Sequence, residues 1–249
     1  DFGPAAAVNG RIDKLNQQNI RTNNIQTLTF TKAFGKHNVN VLAGHEYYKT
    51  MLKYLRALAS GGFSPEIPEI NAFAYKYDSN GYQTAYNVEG YFASAQYDYD
   101  SKYFGSVSYR RDASSRFAKD HRWGNFWSIG GAWIVNKDFF QEVNWLNNLK
   151  IKASIGQQGN DNIGNWAYTD LYQLTSSSNT EMAPSFYRIG NPDITWETTT
   201  NFNIGLEFGV LDNRLTGSFD FYNKKTSDLL FWLSVPESLG SRGYYGNLG

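Results

Sequence analysis

The chain has 249 residues, enough for one large all-β domain or two small ones. Lys and Arg together number 23, as do Asp and Glu, so the formal net charge is zero, which excludes the basic surface that nucleic-acid binding requires. Cysteine is absent, which excludes disulfides and thiolate metal sites, and an aromatic content of 17% excludes a disordered chain. No apolar run approaches the about 18 residues of a transmembrane helix, but transmembrane strands alternate and average polar, so a membrane protein is still allowed.

Both ends of the sequence suggest a piece of a longer protein. The chain opens with Asp1-Phe2-Gly3-Pro4, without an initiator Met, a basic n-region or an apolar h-region, so we expect no secretory signal in it. The last residues, 244–249, have the pattern of a strand that is just beginning. We therefore expect missing parts on at least one side.

Alternation of apolar and polar residues with period two dominates from residue 23 onward and predicts strands. It is clearest over 202–210, where Phe, Ile and Leu occupy one face and Asn, Gly and Glu the other. Two helices are also expected, one over 50–60, where Leu52, Leu55 and Leu58 form a stripe, and a short amphipathic one within 136–148. In chain order, the predicted strands are 24–34, 39–48, 91–99, 127–135, 149–155, 202–210 and 215–222.

The connections between predicted strands alternate in length. Short segments rich in turn-forming residues lie at 35–38, 98–102 and 211–214. Long segments lie at 50–83, 113–121 and 157–195, on the other side of the expected sheet, and 136–148 is intermediate. Short turns on one side and long loops on the other are typical of outer-membrane barrels.

Strand length and aromatic placement also favour a membrane barrel over a soluble β-sandwich. The predicted strands run to lengths near the about 9–11 residues that a tilted membrane strand needs, whereas soluble strands average about 5–6. Tyr91 and Tyr99 lie at the two ends of one apolar face, as the aromatic girdles of a barrel require. A soluble sandwich is the alternative, and it would require the apolar faces of two sheets to meet in a dry core.

Several blocks of sequence, in order, resemble the barrel of the SusC/RagA family of TonB-dependent outer-membrane transporters. The likeness covers about residues 86–230, and the first 80 residues match more loosely. Ala113 departs from the family, which usually has glycine there, so a left-handed turn at that residue would be less comfortable. The blocks are YRRDASSRF (109–117), RWG (122–124), WLNNLKIKASIG (145–156), GNDNIG (159–164), NPDITWE (191–197) and DFYNKKTSDLL (220–230).

The resemblance implies an all-β chain that forms part of a large antiparallel transmembrane barrel with short periplasmic turns and long extracellular loops. Family members resemble barrels of about 22 strands filled by a plug, and residues 1–249 would supply about ten strands without the plug. It further implies nutrient import, of a glycan or a peptide, across the outer membrane of a Gram-negative bacterium. The implied partners are a SusD-like surface lipoprotein, the TonB complex acting through the missing plug, and outer-membrane lipid. A soluble β-sandwich carbohydrate-binding module and a passive porin-type barrel are the alternative functions.

Two groups of residues are candidates for ligand contact. Arg111, Asp112 and Arg116 lie at a strand end, where they would orient an anionic or polyhydroxylated ligand, or else form an ion-pair network that holds a loop. The aromatics of the 157–195 connection and its flank would stack on sugar rings, or else pack the loop or form the aromatic girdle. The aromatic candidates are Trp166, Tyr168, Tyr187 and Trp196.

No catalytic or metal-binding pattern is present in the sequence. His37, His45 and His121 are far apart and lack partners at metal-ligand spacing. A nucleophile elbow, a phosphate loop and a dinucleotide fingerprint are all missing. We therefore expect no enzyme activity, no metal and no cofactor.

Overall fold

The computed structural model describes residues 8–178 and 181–249, except for the side chains of residues 77, 175–178, 181 and 239. The interpretation of residues 1–4 lies outside the described residues. Within them, one short helix, α1, spans Asn136–Phe139, and 3-10 turns span Ile70–Ala72 and Glu237–Leu239. No helix in residues 8–178 and 181–249 is long and apolar enough to cross a membrane. The strands are β1 (Arg11–Phe34), β2 (His37–Gly62), β3 (Phe73–Tyr99), β4 (Tyr103–Ser114), β5 (Trp123–Ile134), β6 (Leu146–Asn160), β7 (Leu171–Ser178), β8 (Glu181–Arg188), β9 (Glu197–Val210), β10 (Leu215–Ser227), β11 (Leu229–Ser234) and β12 (Gly243–Leu248).

Eight of these strands form one sheet in the order β1-β2-β3-β4-β5-β6-β9-β10. Every pairing from β3 to β10 is antiparallel. The strands β7–β8 and β11–β12 form two separate hairpins. The prediction of an all-β antiparallel architecture with short turns on one side and long loops on the other is confirmed.

The chain divides into two compact units. Residues 8–23 with Tyr48–Asn87 belong to the first, and Asn24–Tyr47 with Val88–Gly249 belong to the second. In the first unit, the Arg56 guanidinium donates two hydrogen bonds to the Asp13 carboxylate, at 2.9 and 2.6 Å, and the ring of Tyr54 stacks on that of Tyr82 with centroids 5.0 Å apart. The second unit contains both hairpins and all the residues discussed below as candidate sites.

The two faces of the sheet in the second unit differ in polarity. Register aligns Tyr103, Trp133, Ile151, Leu206 and Phe219 in one row across five strands. Tyr103, Ile151 and Phe219 are exposed in that row, Phe219 by 70% of its surface. The large side chains are therefore not covered by a second sheet, and the soluble β-sandwich alternative is wrong. The opposite face carries the alternate residues, among which small and polar types predominate, as in the row Ser106, Gly130, Ser154, Asn203 and Tyr222.

The helix predicted over 50–60 and the long connection predicted over 50–83 are wrong. Residues 50–62 continue β2, and β3 already begins at Phe73, so the connection is only 63–72. The backbone N–H groups of Gly61 and Gly62 donate to the carbonyl oxygens of Gly10 and Asn9, which ties this segment to the residues before β1. Because pairing with neighbouring strands satisfies the backbone, the leucine stripe at helical spacing does not decide the local structure.

Two further expectations need correction in detail. The helix expected within 136–148 exists only as α1, since the side chain of Asn136 bonds the backbone of Asn147 and Leu149 and thereby turns the chain into β6. Ala113 lies in β4 opposite Trp123 rather than in a left-handed turn. An extended residue accepts alanine without strain.

Candidate functional site

The long-loop end of the second unit is organised around a small apolar core. Trp196, from the β6–β9 connection, packs between two phenylalanines. Its ring centroid lies 5.3 Å from that of Phe126 on β5 and 5.4 Å from that of Phe117 in the β4–β5 connection. Trp196 also donates its indole N–H to the carbonyl oxygen of Arg122 at 2.8 Å. We call this set the loop core; its buried members are Phe117, Phe126, Ile163, Ala167, Ile194 and Trp196.

Two glycines leave room for the Phe126 ring. A Cβ atom on Gly124 would lie 2.4 Å from Cζ of Phe126, and one on Gly159 would lie 2.1 Å from the same atom. Side chains at either position would therefore displace the ring from the loop core. Neither glycine has a positive φ, so backbone conformation does not require glycine here. Close packing against the Phe126 ring does.

Arg116 joins the two connections that form the loop core. Its Nη1 donates to the carbonyl oxygen of Asp161 at 2.9 Å and lies 3.4 Å from Oδ1 of the same residue. Ser114 donates its hydroxyl to Oδ2 of Asp161 at 2.6 Å. The guanidinium is only partly exposed, so it is held between loops rather than directed freely at solvent.

Arg111 and Asp112 are adjacent in sequence but face opposite sides of β4. The Asp112 carboxylate is buried and accepts hydrogen bonds from Nε of Arg110 at 2.8 Å, while Nη2 of Arg110 donates to Glu46 at 2.8 Å. The guanidinium of Arg111 lies over the exposed ring of Trp123, 4.9 Å from its centroid. The structure therefore does not bring Arg111, Asp112 and Arg116 together in one site.

The four candidate aromatics divide into two enclosed rings and two open ones. Trp196 is buried in the loop core, and Tyr168 packs against that core. Trp166 is exposed and has a left-handed backbone with φ of 63°, and Tyr187 on β8 is exposed over 58% of its surface. Only Trp166 and Tyr187 therefore present rings to which a ligand has access.

Tyr187 borders a cleft that sequence reasoning missed. The cleft has a volume of about 670 Å³ and is lined by parts of the β7–β8 and β11–β12 hairpins and by the turn between β11 and β12. Arg188, Trp232, Arg242 and Tyr245 are among its lining residues. The one signal in the sequence is the pair Tyr187-Arg188, because a ring beside a guanidinium is common at binding surfaces.

A second, wider recess of about 830 Å³ follows the polar face of the sheet in the second unit. Its lining is mostly small and polar, with Ser106, Ser154 and Asn203 as examples. Lys152 is the main charged group, and its ammonium contacts Glu207 at 2.7 Å and Asp220 at 3.1 Å. The recess offers hydrogen-bonding side chains set among small residues and exposed backbone.

The short-turn end contains a cluster of polar side chains around Asp138 of α1. Its carboxylate accepts hydrogen bonds from Nζ of Lys102 at 2.8 Å, from the Tyr103 hydroxyl at 2.6 Å and from Nε1 of Trp133 at 3.0 Å. These donors, Lys102 first, lower the pKa of Asp138 to about 2. Asp100 pairs with Lys36 at 2.9 Å and with Lys102 at 3.6 Å, and these cations, Lys36 first, lower the pKa of Asp100. These ion pairs link neighbouring connections at the short-turn end.

The histidines and carboxylates do not assemble a metal site in the part of the chain that the structure describes, where no group of three potential ligands occurs. His37 instead contacts the Tyr97 hydroxyl at 2.7 Å, and His45 contacts Gln26 at 2.8 Å.

Comparison with known proteins gives a consistent family. Residues 2–249 match the family model described as TonB dependent receptor-like, beta-barrel. The chain is 31% identical to TonB-dependent receptor P39 of Formosa agariphila, over 100% of this chain and 25% of the relative. It is 34% identical to TonB-dependent receptor SusC of Bacteroides thetaiotaomicron, over 68% of this chain and 19% of the relative.

Among solved structures, the RagAB peptide transporter superposes with a TM-score of 0.90 at 29% identity, over 95% of this chain and 27% of the other. The RagAB peptide importer in its open-open state superposes with a TM-score of 0.86. The chain spans about a quarter of the length of the first two curated relatives that it matches.

Proposed function

Because this chain belongs to the TonB-dependent receptor-like β-barrel family, we propose that the protein containing it imports a nutrient across the outer membrane of a Gram-negative bacterium. The nutrient would be a glycan or a peptide. Transport would be energised by TonB acting on a plug that residues 1–249 do not supply. The family is one of transporters and receptors rather than of enzymes, and we infer that the barrel carries out no covalent chemistry.

The observation that carries this proposal is the two-faced sheet of the second unit. Hydrocarbon offers no hydrogen bonds, so a membrane-spanning sheet must pair its backbone and present apolar side chains outward. Ile129, Phe202 and Phe221 are exposed side chains on the apolar face. Contact with lipid accounts for this exposure, which would be unfavourable in water.

The polar recess supports the part of the proposal that concerns the plug. Serines, asparagines and the Lys152–Glu207–Asp220 group present donors and acceptors along the inner face. A plug packed there would satisfy these groups and would be released without breaking an apolar core. The force that TonB exerts on the plug would then have to break hydrogen bonds and ion pairs only.

The long-loop end supports the part that concerns substrate capture. The loop core gives the 161–170 and 189–196 segments a fixed shape, and the exposed rings of Trp166 and Tyr187 face solvent there. A SusD-like surface lipoprotein would cover this end and hand over the substrate. The similarity to SusC and to the RagAB peptide transporter supports this partner, and the name of the second supports a peptide as one of the two substrate classes.

The test uses the full-length protein in its native host. Deletion of the plug-coding region should leave the barrel in the outer-membrane fraction and abolish energised uptake, and deletion of TonB should abolish uptake in the same way. Binding of the nutrient to cells should survive the loss of TonB. Recovery of the native protein from the soluble periplasm, or uptake that persists without TonB, would contradict the proposal.

A further inference from the structure

The cleft between the two hairpins has the size of a binding site for a small ligand. Its about 670 Å³ lie within the range of about 300–1,000 Å³ that is typical of ligand pockets. Gln173 and Tyr187 line it from one hairpin, and Trp232 and Tyr245 line it from the other. All of these residues belong to the second unit.

Arg188 gives the cleft a cation without an internal counter-ion. Its guanidinium lies 5.5 Å from the centroid of the Tyr245 ring, and Nη2 donates to the carbonyl oxygens of Asn165 and Trp166, both at 3.4 Å. Its Nε is buried and makes no hydrogen bond. Among the described residues, no carboxylate lies within 4.0 Å of this guanidinium. A partly buried guanidinium with donors unused favours an anionic ligand.

The other charges of the cleft cancel each other. Nε of Arg242 lies 3.1 Å from Oε1 of Glu237, and both side chains are largely exposed. Arg188 is thus the one unneutralised charge among the described residues that line the cleft. A ligand that carries many carboxylates, such as an acidic peptide, would need several such cations.

The aromatic rings that line the cleft differ in exposure. Trp232 and Tyr245 meet edge to face with centroids 5.0 Å apart, and the Tyr187 ring is open to solvent. Such rings pack against the apolar C–H faces of a sugar, while Gln173 offers an amide for its hydroxyl groups. A single cation next to one open ring, that of Tyr187, fits one charged sugar unit.

We propose that this cleft binds an acidic saccharide, with the carboxylate or sulfate of one sugar on Arg188 and its ring against Tyr187. The physiological role of this binding rests on the proposed import function, since a transporter at the cell surface would encounter such glycans. The binding itself is a property of the two hairpins and does not depend on TonB. Carboxylate and sulfate present the same acceptor chemistry to the arginine fork, so the experiment compares both.

The test is calorimetry on the detergent-purified full-length protein with three probes. These are a trisaccharide with a single uronate unit, the same trisaccharide with its carboxylate methyl-esterified, and a neutral trisaccharide that carries one sulfate group. We expect at least one acidic probe to bind at least tenfold more tightly than the ester. Arg188→Gln should weaken that binding at least tenfold, and Tyr187→Ala should weaken it severalfold.

Matched controls separate the cleft from general effects of charge and folding. Arg214→Gln removes an exposed guanidinium from the β9–β10 turn, and Leu174→Ala removes an exposed side chain from the same hairpin without lining the cleft. Both should bind as the wild type does. Resistance of the barrel to SDS at room temperature confirms that each variant is folded, and Tyr187→Ala, whose side chain is exposed, keeps the test valid if Arg188→Gln does not fold.

Three results would overturn the proposal. They are equal affinity for the acidic and esterified probes, unchanged binding in a folded Tyr187→Ala and a folded Arg188→Gln, and tighter binding of a glutamate-rich peptide than of any saccharide. Failure of the import function is distinguishable, because it would abolish uptake in cells and leave calorimetric binding by the purified protein intact.

Discussion

At the long-loop end of the second unit, six apolar side chains close into a core that water hardly reaches, whereas the turns at the opposite end are joined by ion pairs between partly exposed groups. The loop core draws on residues up to 79 positions apart, from Phe117 to Trp196. The turn cluster joins Lys36, Asp100 and Lys102, which lie in short turns, to Asp138 in α1 of the 135–145 connection.

The difference follows from loop length. A short turn is already constrained by the two strands it connects, so it needs few contacts of its own. A connection of more than thirty residues, such as 161–196, loses much conformational entropy when it becomes ordered, and burial of apolar surface is the main term that offsets this loss. Changes of salt concentration and pH should therefore alter the stability of the short-turn end. Substitutions that leave a cavity or overpack the core should alter the stability of the long-loop end.

The largest expected effect is that of Phe117→Ala. Phe117 is fully buried, and removal of such a ring costs about 3–5 kcal/mol. Hydrogen exchange should show that loss as faster opening of residues 161–170 and 189–196, while the strands β4, β5 and β9 keep their protection. Phe139→Ala, which truncates an exposed ring at the short-turn end, is the control and should change little. Equal opening in both variants would mean that the loop core does not order the loops.

The next effect is that of Gly159→Ala, which adds one methyl group to the loop core. Its Cβ would lie 2.1 Å from the Phe126 ring, so the ring must move, at a cost of about 1–3 kcal/mol. Gly105→Ala is the matched control, because no atom lies within 4 Å of the added methyl group. Urea unfolding in detergent micelles should show destabilisation by the first change and not by the second. Identical midpoints would show that the core is loosely packed.

The smallest effect is that of Asp138→Asn, and it should depend on pH. The folded-state pKa of about 2 lies below the ordinary value of 3.8, so the charged group stabilises the folded state above the unfolded-state pKa and loses this effect as pH falls through about 2. Wild type should therefore be slightly more stable than the variant at pH 7, and the difference should shrink toward zero as pH falls to about 2 and below.

The measurement is the difference in urea midpoint between the two proteins at both pH values, in low and in high salt. Asp120→Asn, which removes an exposed carboxylate of the β4–β5 connection, is the control for the loss of a surface charge. A difference that stays constant from pH 7 to pH 2 would contradict the role assigned to the Asp138 carboxylate.

Sequence periodicity predicts the fold well where the two faces of a strand meet different environments. Alternation of apolar and polar side chains predicts β5, β6, β9 and β10 to within five residues of their observed ends. Residues 50–62 of β2 lack this alternation, and their leucines at helical spacing favoured a helix instead. Periodicity carries no information where both faces of a strand meet similar surroundings.

The candidate site could be predicted only in part, for a different reason. Sequence placed aromatics and arginines in the right connections but could not distinguish a ring that is buried, such as Trp196, from one that is open, such as Tyr187. That distinction depends on long-range packing with Phe117 and Phe126. Arg188 and Trp232 were missed because their significance comes from two hairpins that approach each other in space.

The strand order has a consequence for assembly. From β1 to β6, each strand pairs with the one that follows it in the chain, and only the step from β6 to β9 passes over an intervening hairpin. Pairing strands that are adjacent in the sequence closes only a short loop and costs little entropy, so hairpins can be added one after another. The β6–β9 step must close a loop of more than thirty residues, and the entropy cost of closure grows with the logarithm of loop length. Among these pairings, the β6–β9 step should accordingly be the slowest, and shortening the β7–β8 hairpin should accelerate it only modestly while leaving the earlier pairings at their own rates.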